Sequence, residues 1–198
     1  MIHPHTKLAW IDETIGFGVV ATQMIPKGTI VWILDDLDQR LDESYVQSLD
    51  RLRQGEVKKY SYRNQFGEYV LCWDLGRFVN HSSNPTCLPT AYDLEIAGRD
   101  ILPGEELTDD YGTLNLEEPF PCSRGTEGGR RLIQPDDILR LYPTWDRQAA
   151  EAMRYMNQVE QPLGHLINEK HRRKVAAVAA GQEEMDSTLL CYYSANAQ

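Results

Sequence analysis

The chain contains no apolar run near the roughly 20 residues needed to cross a bilayer. Its opening "MIHPHTKLAW" also lacks the basic segment and apolar stretch of a secretory signal. These absences predict a cytoplasmic protein, with the nucleus still open. Cysteine is scarce: Cys72, Cys87, Cys122 and Cys191 lie far apart, and none belongs to a C-x-x-C pair. That spacing offers neither a disulfide framework nor a self-contained zinc finger, so the four read as small apolar residues in or near a core. Positive charge is short too, with 20 Lys and Arg against 30 Asp and Glu and a net charge of -10. A surface of that sign repels phosphate backbones and argues against direct nucleic-acid binding. It attracts a cationic partner such as a lysine-bearing peptide, or it serves solubility alone.

What is present describes a globular protein. In 198 residues, 41% are hydrophobic and 25% charged, enough for one well-covered core with an appendage and too little for two large domains. "FGVVAT" and "TIVWIL" are rich in β-branched and aromatic residues and read as strands joined through "QMIPKG", where Pro26 and Gly28 supply turn chemistry. Leu41, Tyr45, Val46, Leu49 and Leu52 recur at helical spacing. They predict one amphipathic helix over about residues 41–56, capped by Asp42 or Ser44 and ended by Gly55. "GEYVLCWDL" and "TCLPTAYDLEIAGRDI" read as further short strands, and "LPGEEL" repeats the Pro-Gly turn. From about residue 135 helix formers take over, with Pro135, Pro143 and Pro162 expected at or near helix starts. The stretch between, "EEPFPCSRGTEGGRR", reads as a hinge or ordered loop. The expected class is therefore mainly β with α additions.

Three motifs offer chemistry. In "IGFGVVA", Gly16 and Gly18 flank Phe17, so the backbone can approach a ligand without Cβ interference, or simply turn into a strand. It is not the dinucleotide fingerprint, since no helix pattern follows. In "RFVNHSSNPT", Asn80 brings an amide donor and acceptor, and His81 a ring nitrogen of each kind. The alternative there is a turn whose side chains satisfy their own backbone. No second His or carboxylate stands at metal-ligand spacing from His81, and His3 and His5 sit near what reads as an untethered terminus. In "RDILPGEELTDDYG", Tyr111 before a glycine can hold a hydroxyl in a narrow site, while Glu105 and Glu106 after the turn read as solvated or backbone-bonded.

Taken together, "GFGVVAT...IPKGTIV", "RFVNHSSNPT" and "GRDILPGEELTDDYG" resemble, in order, the SET domain of protein lysine methyltransferases, over about residues 8–112. The resemblance implies a SET-domain fold of short curved sheets with a pseudoknot, in which the tail after the "GEEL" strand threads a neighbouring loop and meets the Asn-His stretch. It divides the chain into a SET domain at 1–115 with a helical insertion at about 41–56, a degenerate post-SET-like loop at 116–134, and a helical C-terminal extension at 135–198. It implies S-adenosylmethionine as methyl donor, held by Gly16, Phe17, Gly18, Arg77, Phe78, Asn80 and His81. Tyr111 matches the catalytic tyrosine, and Asp109 and Phe120 fall beside the substrate channel. The implied substrate is a lysine in a basic protein or peptide, with no membrane involved. The other reading is an idle SET module that binds a peptide or partner.

The match departs from the family pattern in two places. Many SET enzymes carry a zinc site made of a cysteine after the Asn-His-Ser segment and three in the tail. Here Ser83 occupies the first position, and "FPCSRGTEGGRR" keeps Phe120, Gly125 and Arg130 but only Cys122 of the tail cysteines, with Arg124 and Gly129 in the other two places. One thiolate cannot close a zinc site, so no zinc is expected, and the helices after residue 135 are expected to close the active site instead. Asp109 stands where the family commonly has Phe or Tyr, a position that helps set the degree of methylation.

Overall fold

Short strands fill the first 110 residues of the computed structural model, which describes residues 1–122 and 130–194. In chain order these are β1 (Thr6–Asp12), β2 (Gly16–Ala21), β3 (Ile30–Ile33) and β4 (Gln39–Leu41), followed by helices α1 (Glu43–Ser48) and α2 (Arg51–Tyr60). Next come β5 (Ser61–Arg63), β6 (Tyr69–Leu71), β7 (Asn80–His81), β8 (Cys87–Pro89), β9 (Leu94–Ala97) and β10 (Glu106–Asp109). The small pair β11 (Phe120–Pro121) and β12 (Leu132–Ile133) precedes two longer helices, α3 (Asp137–Met153) and α4 (Glu169–Ala179).

The strands form separate small sheets, ordered β1-β2-β10-β7, β3-β9-β8, β4-β6-β5 and β11-β12. The two strands expected on either side of "QMIPKG" both exist, but they lie in different sheets: β2 pairs with β1 and β10, and β3 with β9. The turn between them carries Gly28 at φ +84°, where a Cβ would lie 2.7 Å from Tyr155 Cβ and 2.8 Å from the Ala152 carbonyl. Gly28 is therefore required both for the left-handed turn and for the approach of α3.

The expected single amphipathic helix is two. Asp50 breaks it, since its carboxylate accepts the Arg53 N–H and caps a fresh start for α2. Gly55 lies inside α2, not at its end, and a Cβ there would meet nothing within 4 Å. Of the expected apolar stripe only Val46 is fully buried; Tyr45 and Leu52 face water. Pro143 also departs from expectation. It sits within α3 and not at a start, which is tolerated because the carbonyl it leaves unpaired, that of Leu139, belongs to a residue exposed to water.

The first residues are tied down rather than loose. Ile2 bridges Trp32, the His3 N–H donates to the Val31 carbonyl at 2.8 Å, and His3 is buried, which together with His5 lowers its pKa to about 4. The main core joins sheet and helix: Ile30, Ile33, Leu94 and Ile96 from the β3-β9 pair pack with Ala149, Ala152 and Met153 of α3 and Val175 and Val178 of α4. A second cluster, including Val19, Val31, Ile101 and Leu107, lies under the β2-β10 pair.

Candidate active site

The site begins where β10 lies between β2 and β7. It pairs antiparallel with β2 and parallel with β7, in the register Thr108 to Asn80 and Asp109 to His81. That parallel pair brings together two segments some thirty residues apart. The Tyr111 N–H donates to His81 Nδ1 at 3.1 Å, and the Tyr111 hydroxyl donates to the Val79 carbonyl at 2.9 Å. Because Nδ1 accepts, a neutral His81 carries its proton on Nε2, and that nitrogen is buried without a partner. Burial lowers the His81 pKa against the opposing pull of Asp110, which favours this neutral form. Burial, reinforced by the nearby Asp109 and Glu106 charges, pushes the Tyr111 phenol well up, so it stays protonated.

Asn80 faces the other strand. Its amide donates to the Phe17 carbonyl at 3.0 Å and to Glu106 Oε1 at 2.7 Å. Gly18 makes this junction possible, since a Cβ there would lie 2.7 Å from Asn80 Nδ2 and 2.8 Å from Ile11. Phe17 is half exposed, edge-on to the equally exposed Trp10 with ring centroids 5.4 Å apart. Phe120 packs against Tyr111 at 5.3 Å and against His81 at 6.1 Å. The expected residues thus fall into two groups joined through β7: His81, Tyr111 and Phe120 in one, and Asn80, Phe17 and Gly18 in the other.

Phe78 stands apart from these groups, whereas Arg77 is among the residues that line the cavity beside Tyr111. The Arg77 guanidinium turns back to the Trp73 carbonyl at 2.8 Å, and Phe78 packs on Tyr60 and the core. Glu106, read from the sequence as solvated or backbone-bonded, instead accepts from the Asn80 amide, whereas Glu105 does pair with Arg99 and accept the Leu102 N–H at 3.0 Å as a residue beside a turn should.

The tail is clamped by charge. Arg130 bridges the Asp110 and Asp137 carboxylates, both buried. Asp110 also caps the turn at Tyr111–Thr113 by accepting the Gly112 N–H at 3.0 Å. One side chain thus ties the start of α3 to the residue beside Tyr111. Arg124, Gly125 and Gly129 lie outside the described residues.

A cavity of about 610 Å³ opens beside Tyr111, with Val79, Asp109, Glu95, Tyr62 and Phe120 among its walls. In its wall, carboxylate oxygens of Glu95 and Asp109 and the Sγ of the buried Cys87 behind them lie within 4.8 Å of one another. Burial pushes the Asp109 carboxyl up to about 7 and Glu95 well above the usual carboxylate range. Glu95 was not foreseen, although an acid between Leu94 and Ile96 in a strand-like run is a visible anomaly.

Residues 16–112 match the family model of the SET domain. These residues belong to the SET-domain family. Among curated relatives, the chain is 29% identical over 138 residues to the histone-lysine N-methyltransferase, H3 lysine-36 specific, of Mycosarcoma maydis, covering 60% of this chain and 14% of that protein. It is 27% identical over 164 residues to the histone-lysine N-methyltransferase SETMAR of Mus musculus, covering 66% and 52%. It is 34% identical over 115 residues to the N-lysine methyltransferase KMT5A-A of Danio rerio, covering 50% and 33%. The chain thus spans between about a seventh and a half of the length of these relatives. Among solved structures, the methyltransferase domain of human SETMAR aligns with a TM-score of 0.46 at 23% identity, over 67% of this chain and 58% of that one.

Proposed function

We propose that the chain is a methyltransferase that moves a methyl group from S-adenosylmethionine to the side-chain amine of a lysine in a protein. The observation that carries this reading is the Tyr111 hydroxyl held 2.9 Å from the Val79 carbonyl at the wall of the cavity, with its backbone locked to His81. Together they set oxygens around one small volume, and oxygens so placed can orient an amine and hold a methyl group by weak C–H···O contacts.

The residues present fit the donor. The exposed Phe17 and Phe120 rings offer apolar faces, the buried Nε2–H of His81 is an unmet donor, and at Gly18 the backbone has room only for a hydrogen. When bound, S-adenosylmethionine supplies an electrophilic methyl group carried on a sulfonium. The chain's own work is to orient and to dehydrate. A lysine of pKa about 10.4 is almost wholly charged at pH 7 and has no lone pair to offer. The aromatic walls of Tyr62, Tyr111 and Phe120 lower the amine's pKa once the lysine is inside, so that it can shed its proton before transfer. The net charge of -10 favours a basic acceptor. Among the described residues no helix is long and apolar enough to cross a membrane.

Incubation with labelled S-adenosylmethionine and a library of lysine-containing peptides tests the reading. Wild type is expected to label some of them, and Tyr111→Phe to lose about 100-fold in kcat/KM, on the order seen when one preorganised hydrogen-bonding group is removed. Absence of donor binding by calorimetry at millimolar concentration would leave only the partner-binding alternative.

A further inference from the structure

Methyl transfer to lysine requires that a proton leave the ammonium, and the cavity contains a group placed to take it. Asp109 and Glu95 both line the cavity that Tyr111 lines. Among the described residues neither carboxylate makes an ion pair with Lys or Arg, and Asp109 Oδ1 is sealed from water without a hydrogen-bond partner when both acids are ionised. An ionised carboxylate buried without a counter-charge is costly, and the cost falls if the pair shares a proton or if a cation arrives. The chain therefore maintains in the wall of this cavity a place where an ammonium is welcome and from which a proton can be accepted.

We propose that Asp109, backed by Glu95, is the base that removes the proton from the incoming lysine ammonium. This rests on the methyltransferase reading above. The lysine ammonium gives one proton to the Asp109 carboxylate, leaving a neutral amine and a carboxylic acid. The freed nitrogen lone pair then forms a bond to the methyl carbon of the sulfonium donor as the carbon–sulfur bond breaks, its electron pair leaving with sulfur as a neutral thioether. The secondary ammonium product departs, and Asp109 returns its proton to water through the cavity.

The surroundings suit the task. Burial is the largest influence on Asp109, hydrogen bonds from Glu95 and Cys87 offset part of it, and the neighbouring Asp110 charge adds to it, leaving the carboxyl at about 7, where a base at neutral pH is most effective. Glu95 comes from β9 opposite Trp32, and burial together with the Asp109 charge raises its pKa well above the usual carboxylate range, so it donates a hydrogen bond to Asp109. Cys87 comes from β8 and is a buried, neutral thiol. From β7, His81 turns its ring to the Tyr111 N–H. Tyr62, Cys72 and Cys191 lie further out beside Glu95 and stay protonated.

The pH profile of kcat/KM on a peptide labelled by wild type is the test. Wild type is expected to lose activity below an inflection near pH 7. Asp109→Asn is expected to fall about 100-fold at pH 7 and to recover roughly tenfold per pH unit above that, as the amine loses its proton to solvent instead. A merely structural role would lower activity evenly at every pH, and that even loss overturns the proposal. Glu95→Gln keeps a neutral donor against Asp109 and is expected to keep the inflection; Glu95→Leu removes the donor and should move it upward. An unmoved inflection in Glu95→Leu would count against the pair, and carbon-detected titration of Asp109 gives the same shift without turnover. Transfer by wild type with an unaltered Asp109→Asn profile overturns the base alone, whereas no transfer by wild type to any peptide, with no donor binding, overturns the methyltransferase reading with it.

Discussion

At the residue scale, a few atoms decide whether this pocket can do chemistry, and most of them are polar groups whose burial must be explained. The pair at Asp109 also leaves a trace in stability. Its folded pKa, near 7, is above the ordinary carboxylate value of 3.8. Between about pH 4 and 7 the folded state therefore holds a proton that the unfolded chain has lost. Stability falls as pH rises through that window, by up to about 1.4 kcal/mol per unit, and it levels above 7. Asp109→Asn cannot lose that proton, so its melting temperature relative to wild type should climb from pH 4 to 7 and then stay constant. A constant offset across that range in paired melting curves would refute the assignment. At Tyr111 the hydroxyl meets one carbonyl, so Tyr111→Phe should cost about 1 kcal/mol of stability besides its loss of transfer, which separates the two roles in one variant.

At the element scale, helix α2 and the tail carry opposite lessons. In α2, Gly55 pays backbone entropy with empty space around it, so Gly55→Ala should stabilise by about 0.5–1 kcal/mol, whereas Asp50→Ala should cost about 1 kcal/mol by removing the cap; urea unfolding of both variants checks the pair. The start of α3 depends on Arg130. Its guanidinium stands between the buried Asp110 and Asp137, and it is about a quarter exposed. Removing it leaves the buried Asp110 carboxylate without its counter-charge, while Asp137 keeps Arg140 at 2.8 Å, so Arg130→Ala should destabilise by about 3 kcal/mol and loosen the turn at Tyr111. A variant that melts as wild type does would mean that the tail is held by something other than this bridge.

At the scale of the whole molecule, the helices after residue 135 are part of the fold's core. Met153 is fully buried among residues from β3, β9 and α4. Met153→Ala should cost about 2–5 kcal/mol and lower the melting of the sheets and helices together, as one transition seen alike by far-ultraviolet circular dichroism and tryptophan fluorescence. Two separate transitions would show that the helical part folds independently. The net charge of -10 acts on this scale too, drawing basic segments toward the protein at low salt and losing that pull as salt is added.

Much of this was legible in the order of residues. The strands β2, β3, β6, β8 and β9 and the late helices follow from runs of β-branched residues and from helical periodicity, because those signals are local and survive without neighbours, whereas β10 is implied only by the resemblance. Asn80, His81 and Tyr111 stood out by motif. The split of the 41–56 helix, the anchoring of His3 and the Pro143 inside α3 did not, because caps, water exposure and tethering depend on what packs nearby. Above all, the charge state of a carboxylate is not a property of its place in the chain: Asp109 and Glu95 become a proton-sharing pair only because the fold sets β9 and β10 so that their carboxylates meet in the cavity wall. The sequence by itself determined which groups were available and which stretches would be strand or helix; the tertiary structure decided which groups meet, because desolvation and hydrogen bonding act through space.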